Sequence, residues 1–221
     1  FEQDTRLRLE DYVDKLKGIT FQDQLGTMYE KVLRLERLVE RLAAMAGGRP
    51  GLNGTELATA KRAARLCKAD LATHMVYEFP ELQGIMGREY AVRAGEPPEV
   101  AEAIFEHYLP RYSGDELPST VAGALLALAD RLDSIVGCFG VGLIPSGSHD
   151  PYALRRQAIG FVSTALKHGF NLVLRRAISA AVDCYADVGG RVLDRGLEEQ
   201  VLDFLNQRMK ASLVDEGVRW D

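Results

Sequence analysis

Apolar residues recur along this chain in steps of three and four, most clearly at Leu25, Met28, Val32, Leu35, Val39, Leu42 and Ala46. That spacing predicts one long helix over 25–46 with a buried side. A coiled coil is the rival for the heptad-like run, but GGRPG at 47–51 stops it, and Leu33 and Leu38 widen its apolar side beyond a narrow seam. A second series, Ala60, Ala64, Cys67, Leu71 and Met75, in the stretch Ala60 to Gly87, predicts a helix opened by Asn53 with Glu56 as a capping pair and limited by Pro80. Ala63, Ala64, Ala69 and Ala72 would let neighbours approach closely, so this stretch is expected to be the central element. Gly84 and Gly87 permit a tight turn or a close helix contact.

Pro97 and Pro98 suit the entrance of a helix that buries Ala101, Ile104, Phe105 and Tyr108 up to Pro110. After a polar loop, with Ser119 or Thr120 as the cap, comes VAGALLALADRLDSIVGCFG at 121–140, whose apolar face holds Leu125, Leu128, Ala129, Leu132 and Val136. Asp150 and Pro151 fit the cap and first residue of a further helix. Two more follow in LVLRRAISAAVDCYADVG and EEQVLDFLNQRMKASLVDEG, separated by Gly189 and Gly190. Upstream, DYVDKLKGI reads as a short helix with Tyr12, Val13, Leu16 and Ile19 inward. No run of period two marks a strand, so the fold class is all-α.

Composition changes this picture little. With 221 residues, 47% hydrophobic and 27% charged, the chain can bury a substantial core. A net charge of −5 argues against holding nucleic acid by bulk charge, although 27 Lys and Arg leave room for a local basic face. Cys67, Cys138 and Cys184 lie far apart in apolar surroundings and read as reduced core thiols. No apolar run approaches the ~18 residues of a membrane span, and no signal sequence opens the chain, so no membrane partner and a cytoplasmic location are expected. Phe1 stands where an initiator Met would, and the simplest interpretation is a piece of something longer.

Two acids, Asp70 and Asp130, sit inside apolar helices, where an unpaired carboxylate is expensive. His74 follows Asp70 by one turn, and His107 with Asp130 or Asp133 could complete a partial ligand set for a metal-dependent phosphohydrolase. A hydrogen-bonded structural histidine is the competing reading. Ser146, Gly147 and Ser148 precede a helix start and could expose N–H groups to an anion, or simply form a turn. The segments KRAARLCK, GREYAVR, LPRYS and ALRRQ are solvated faces taken singly. Read together with Tyr90, Tyr108, Tyr112 and Tyr152, they could make a discontinuous phosphate-contacting surface. Neither GxSxG nor CxxC occurs.

Four blocks, FQDQLGTMYEKVLRLERL at 21–38, KADLATHMVYEFPELQGIMGREYA at 68–91, ALADRLDSIVGCFGVG at 127–142 and PSGSHDPYALRRQAIG at 145–160, closely resemble the beta subunit of bacterial tetrameric glycyl-tRNA synthetase. The resemblance runs nearly end to end, and the opening FEQD resembles the tail of a motif that would lie upstream. It implies a helical region similar to the HD phosphohydrolase superfamily at 25–168, preceded by a helical linker at 1–24 and followed at 169–221 by helices leading toward an anticodon-binding domain. It also implies a degenerate metal motif. Asp70 and Asp130 match the motif's aspartates, the histidine of the pair is replaced, apparently by Ala69, and no histidine occupies the first position in 25–46. Hydrolase activity is then not expected and no metal is assigned. The retained acids would pair with arginines or cap backbone groups, with Arg62, Arg65 or Arg131 as possible partners.

The family joins glycine to its tRNA in an ATP-dependent reaction whose ATP and Mg are used at the alpha subunit. The resemblance therefore implies a module with no catalytic residue or cofactor of its own, with tRNA for glycine and, through the full-length protein, the alpha subunit as partners. The candidate tRNA contacts are Arg88, Arg93, Arg111, Arg155 and Arg156. A scaffold or subunit-contact module is the alternative, and a surviving phosphohydrolase the enzyme reading.

Overall fold

A computed structural model describes residues 2–46 and 52–215. The GGRPG stop at 47–51 and the last residues of the final predicted helix lie outside them. The described residues are predominantly helical, as the periodicity implies, with ten α-helices and one two-stranded hairpin among them.

The N-terminal segment holds α1 (Leu9–Val13), extended by a 3-10 turn at Asp14–Gly18, and buries Leu9, Tyr12, Val13 and Leu16. A hairpin absent from the sequence-based expectation follows, β1 (Thr20–Gln22) paired antiparallel with β2 (Gly26–Thr27). It is too short to leave a period of two in the sequence. The long helix α2 (Met28–Met45) therefore starts three residues later than its apolar series. Thr27 accepts from the Glu30 amide and Glu30 returns a carboxylate to the Thr27 amide, a reciprocal cap that fixes the start.

The stretch Ala60 to Gly87 is not one helix. The α3 helix (Gly54–Leu66), capped by the Asn53 side chain on the Thr55 and Glu56 amides, ends at Leu66. A 3-10 turn at Ala69–Ala72, the short α4 (His74–Glu78) and α5 (Ile85–Arg93) follow. Local side-chain bonds outcompete the helical ladder here. The Thr73 hydroxyl donates to the Asp70 carbonyl at 2.6 Å and caps Val76, while the Asp70 carboxylate accepts from the amides of Gly84 and Gly87 at 2.7 and 3.1 Å. Gly84, at φ 80°, makes the turn. Gly87 lies so close to Ile104 and Asp70 that an added Cβ would sit 2.8 Å from the isoleucine.

The central element is instead α7 (Val121–Gly140). It buries 17 of its 20 residues and touches α2, α3, α6 (Pro98–Glu106), α8 (Leu154–His168), α9 (Leu174–Asp187) and α10 (Leu197–Asp215). A helix that is apolar all round belongs inside. Thr120 caps it, and the buried Glu106 carboxylate ties Ser119 and Thr120 back to α6. Helix α8 begins at Leu154 rather than Pro151, because Ala153 adopts a left-handed conformation. Ala153, not Asp150, is therefore the N-cap residue, but the Asp150 carboxylate accepts from the first-turn amides of Leu154 and Arg155 at 2.7 and 3.0 Å. Ser146 to His149 is a closed turn bonded to itself. All three cysteines are free and buried, and burial pushes each thiol up to about 12.

The crossing of α7 over α9 depends on Gly137, where a Cβ would fall 2.0 Å from the Tyr185 hydroxyl. That hydroxyl donates to the Asp133 carbonyl at 3.0 Å. Gly137→Ala gains about 1 kcal/mol of helix propensity. Overpacking costs about 1–3 kcal/mol, and the displaced hydroxyl loses its bond. The expected net result is a destabilisation of about 1–2 kcal/mol in urea unfolding.

Candidate functional site

The polar heart of the fold is a ladder of buried charges between α2, α7 and the end of α3. Lys31 and Arg34 lie one turn apart on the inward side of α2 and are 2% and 0% exposed. Arg34 grips Asp133 of α7 with both arms of its guanidinium, at 2.6 and 3.2 Å, and stacks over the Tyr185 ring at 4.0 Å. Lys31 Nζ reaches Asp133 and Ser134 at 2.9 Å each and Asp130 Oδ1 at 3.0 Å. Lys68, just past α3, meets Asp130 Oδ2 at 2.8 Å and His107 Nε2 at 2.8 Å. His107 Nδ1 lies 2.6 Å from the Ile104 carbonyl, so Nδ1 carries the proton and Nε2 accepts from Lys68.

Electrostatics follow from these contacts. Burial alone would raise the Asp130 carboxyl, but Lys31 and Lys68 hold it well below the usual carboxylate range. Burial is likewise overcome at Asp133, by Arg34 and Lys31. Burial and then Lys68 push His107 well below its ordinary value, so it is neutral. Arg131, whose guanidinium burial lowers to about 10, donates to the carbonyls of His107, Ala127, Tyr108, Leu109 and Pro110, clamping the exit from α6.

The outer end of this ladder, Lys31, Lys68, His107 and Asp130, forms the floor of a cavity of about 710 Å³. Lys31, Lys68, Arg111, Arg131 and Arg156 line it against the carboxylates of Asp130 and Glu81, with Phe21, Tyr108 and Tyr112 as aromatic walls.

Asp70 and Asp130 do not meet. The fully buried Asp70 turns away to cap α5, as a backbone-capping role implies, whereas Asp130 takes lysines as partners rather than arginines. Arg62 pairs with Glu10 and Glu96, Arg65 with Glu10, and Arg131 with carbonyls. Of the Asp70, His74, His107 and Asp130 set, only His107 and Asp130 reach the cavity; His74 lines a different cleft beside Tyr77. The set does not fit a divalent ion. Both Asp130 oxygens already face ammonium groups at 3.0 and 2.8 Å, which would repel one. Among the described residues no three His, Cys, Asp or Glu side chains group as a metal centre.

The five candidate arginines do not share one patch. Arg111 and Arg156 line the cavity, both on exposed positions. Arg88 pairs with Glu102 at 3.3 Å and stacks over Phe105 at 4.3 Å. Arg93 lines a small separate cleft with Arg6 and Arg8. Arg155 faces α10, where burial and then its charge lower the Arg208 guanidinium. Asp133 entered the sequence reading only as a possible metal ligand and Lys68 only within KRAARLCK, while Lys31 and Arg34 were not singled out, although they fall three residues after Met28 and four before Leu38, on the apolar side of α2.

Fold and site together define an all-helical domain whose core is locked by buried ion pairs around a basic, aromatic-walled cavity. The family model for the glycyl-tRNA synthetase beta subunit matches residues 1–221, and the chain belongs to that family. It is 48% identical over 224 residues to the glycine–tRNA ligase beta subunit of Syntrophomonas wolfei, covering 100% of the chain and 31% of that protein. The same-named protein of Desulforudis audaxviator is 51% identical over 222 residues, with 100% and 31% covered, and that of Clostridioides difficile 47% over 224, again with 100% and 31%. The chain thus spans about three tenths of the length of these relatives. Among the described residues no helix is long and apolar enough to cross a membrane.

Two outcomes test the buried charges. Asp133→Asn leaves Arg34 and Lys31 facing an uncharged amide, and a loss of about 3–5 kcal/mol in chemical unfolding is expected. Asp70 behaves oppositely. Burial raises its carboxyl to about 6, against 3.8 in an unfolded chain, with the Gly84 and Gly87 amides only partly opposing. Its protonated form therefore favours the fold, and that contribution is lost as pH rises through about 6. Asp70→Asn keeps an accepting oxygen without the titration. Relative to the parent, the variant should gain about 2–3 kcal/mol between pH 4 and pH 7, measured by urea unfolding across pH.

Proposed function

We propose that this chain is a noncatalytic tRNA-contacting module of a glycyl-tRNA synthetase beta subunit, helping to position tRNA for glycine while ATP-dependent chemistry proceeds on the alpha subunit. The observation that carries this reading, beside the family membership, is the concentration of cationic and aromatic side chains at one cavity in a chain of net charge −5. Phosphate contacts need such a local basic face, whatever the total charge. Arg111 and Arg156 contribute from the cavity, while Arg88, Arg93 and Arg155 contribute from separate faces.

The same reading takes the frame of residues 25–168 as a relative of the HD phosphohydrolase fold, flanked by 1–24 and by 169–221. Lys31 and Lys68 would then hold Asp130 where an ion once did. Direct hydrolysis is disfavoured, because both Asp130 oxygens face ammonium groups and His107 Nε2 is occupied by Lys68.

A scaffold role is the second reading. It is favoured by the apolar cleft of about 400 Å³ at Ile19, Leu71 and Tyr77, where Tyr77 is 79% exposed and nearby Phe79 50%.

A salt titration of tRNA binding tests the first reading, with cognate and unrelated tRNA side by side. Affinity should fall linearly on a log–log plot, and Arg155→Ala with Arg156→Ala should lower the slope by about one for each phosphate no longer neutralised. No binding at low salt would transfer support to the scaffold reading. Unchanged affinity and slope in the double variant would remove those two arginines.

A further inference from the structure

The cavity is more specific than a basic surface. Its floor is the outer end of the ladder, which as a whole sets three buried cations, Lys31, Arg34 and Lys68, against the buried Asp133 and the partly buried Asp130, while His107 is neutral. One positive charge is therefore left without an anion inside the ladder. At the rim, Arg156 makes no ion pair with any described residue, and Arg111 is engaged only by Asp115 at 3.6 Å and the Phe105 ring at 5.4 Å. Glu81 is the other carboxylate on the wall, so cations still outnumber anions there.

Shape restricts what can answer that charge. At about 710 Å³ the space falls within the range of small-ligand sites and takes one nucleotide with room for water. A duplex cannot enter it, since helical RNA presents its phosphates from the outside of a rigid rod. Aromatic side chains at the wall add a second requirement, a flat π-face on the ligand. Lys68 lies over the Tyr108 ring at 4.2 Å, which takes up one face of that tyrosine. Tyr112, at 61% exposure, offers its ring at the rim beside Arg111. A cation adjoining an open aromatic ring is the arrangement that single-stranded nucleotides use, the backbone on the charge and the base stacked.

We propose that this cavity binds a single unpaired nucleotide, its phosphate drawn to Arg111 and Arg156 and its base laid against Tyr112. For the source of that nucleotide in RNA the inference rests on the function proposed above; for a free mononucleotide it stands alone. The shared chemistry is a phosphate joined to a stacking base.

The test is calorimetric titration of the 221-residue chain with AMP, with inorganic phosphate and with a short unstructured oligoribonucleotide, repeated on Arg111→Ala/Arg156→Ala and on Tyr112→Ala. All three side chains are exposed, so the variants should fold as the parent does, which circular dichroism checks; Arg37→Ala, on the outer side of α2, is the charge-loss control. The expected result is saturable AMP binding weakened about tenfold by the arginine pair and by Tyr112→Ala, and not by Arg37→Ala. An oligoribonucleotide that competes with AMP and binds more tightly assigns the nucleotide to RNA. AMP binding without such competition assigns it to a free nucleotide. The proposal is overturned by absence of saturable binding to AMP and oligonucleotide alike, by binding indifferent to the arginine pair, or by inorganic phosphate binding as tightly as AMP. If these fail while tRNA still binds with a steep salt dependence, the cavity is dismissed and the tRNA-contacting function stands.

Discussion

Everything in the interior is arranged around the grip of Arg34 and Lys31 on Asp133 and Asp130. Burying four charges, with Asp130 partly buried beside them, costs desolvation energy that is recovered only through close opposite charges and hydrogen bonds. Here the match spans three elements: α2 supplies two cations, α7 two anions, and the end of α3 brings Lys68 to the far side of Asp130. Removing either carboxylate leaves cations facing no anion in the core. The ladder therefore fixes the rotation of α7 about its own axis, which apolar packing all round that helix would leave poorly defined.

The other buried polar groups extend the same logic to the loops. Asp70 caps α5, Glu106 caps α7, and Asp4 accepts from the amides of His74 and Met75 and from the Tyr90 hydroxyl. Arg131 collects carbonyls of the segment that leaves α6, those of His107 and Leu109 among them. The three carboxylates each satisfy a helix start from a position distant in sequence. These bonds allow short helices such as α4 and α5, marginal alone, to hold their places.

That architecture gives an acidic chain a cationic cavity. The lysines are consumed structurally, yet their charge is not fully neutralised, and the rim arginines add to it. Affinity for an anion would then come from a preorganised site in which the cations are already held, rather than from overall charge.

Much of the helical order was legible in the sequence. The 3.6 period located α2, α6, α7, α9 and α10, and Thr120, Asn53 and the Pro97–Pro98 entrance marked real starts, because these signals act within one or two turns. The four family blocks were equally local. The sequence misplaced the centre: a helical spacing from Ala60 to Met75 persisted across a break made by Thr73 and Asp70 side chains, and the all-round apolar character of 121–140 was the better marker of the middle. The site itself depended on tertiary structure. A carboxylate in an apolar helix announces that it needs a partner, but spacing cannot say whether that partner is an arginine, a lysine or a pair of amides 14 and 17 residues away. Lys31 and Lys68 reach Asp130 across 99 and 62 residues, and only the packing of α2, α3 and α7 brings such distant charges within a hydrogen bond of one another.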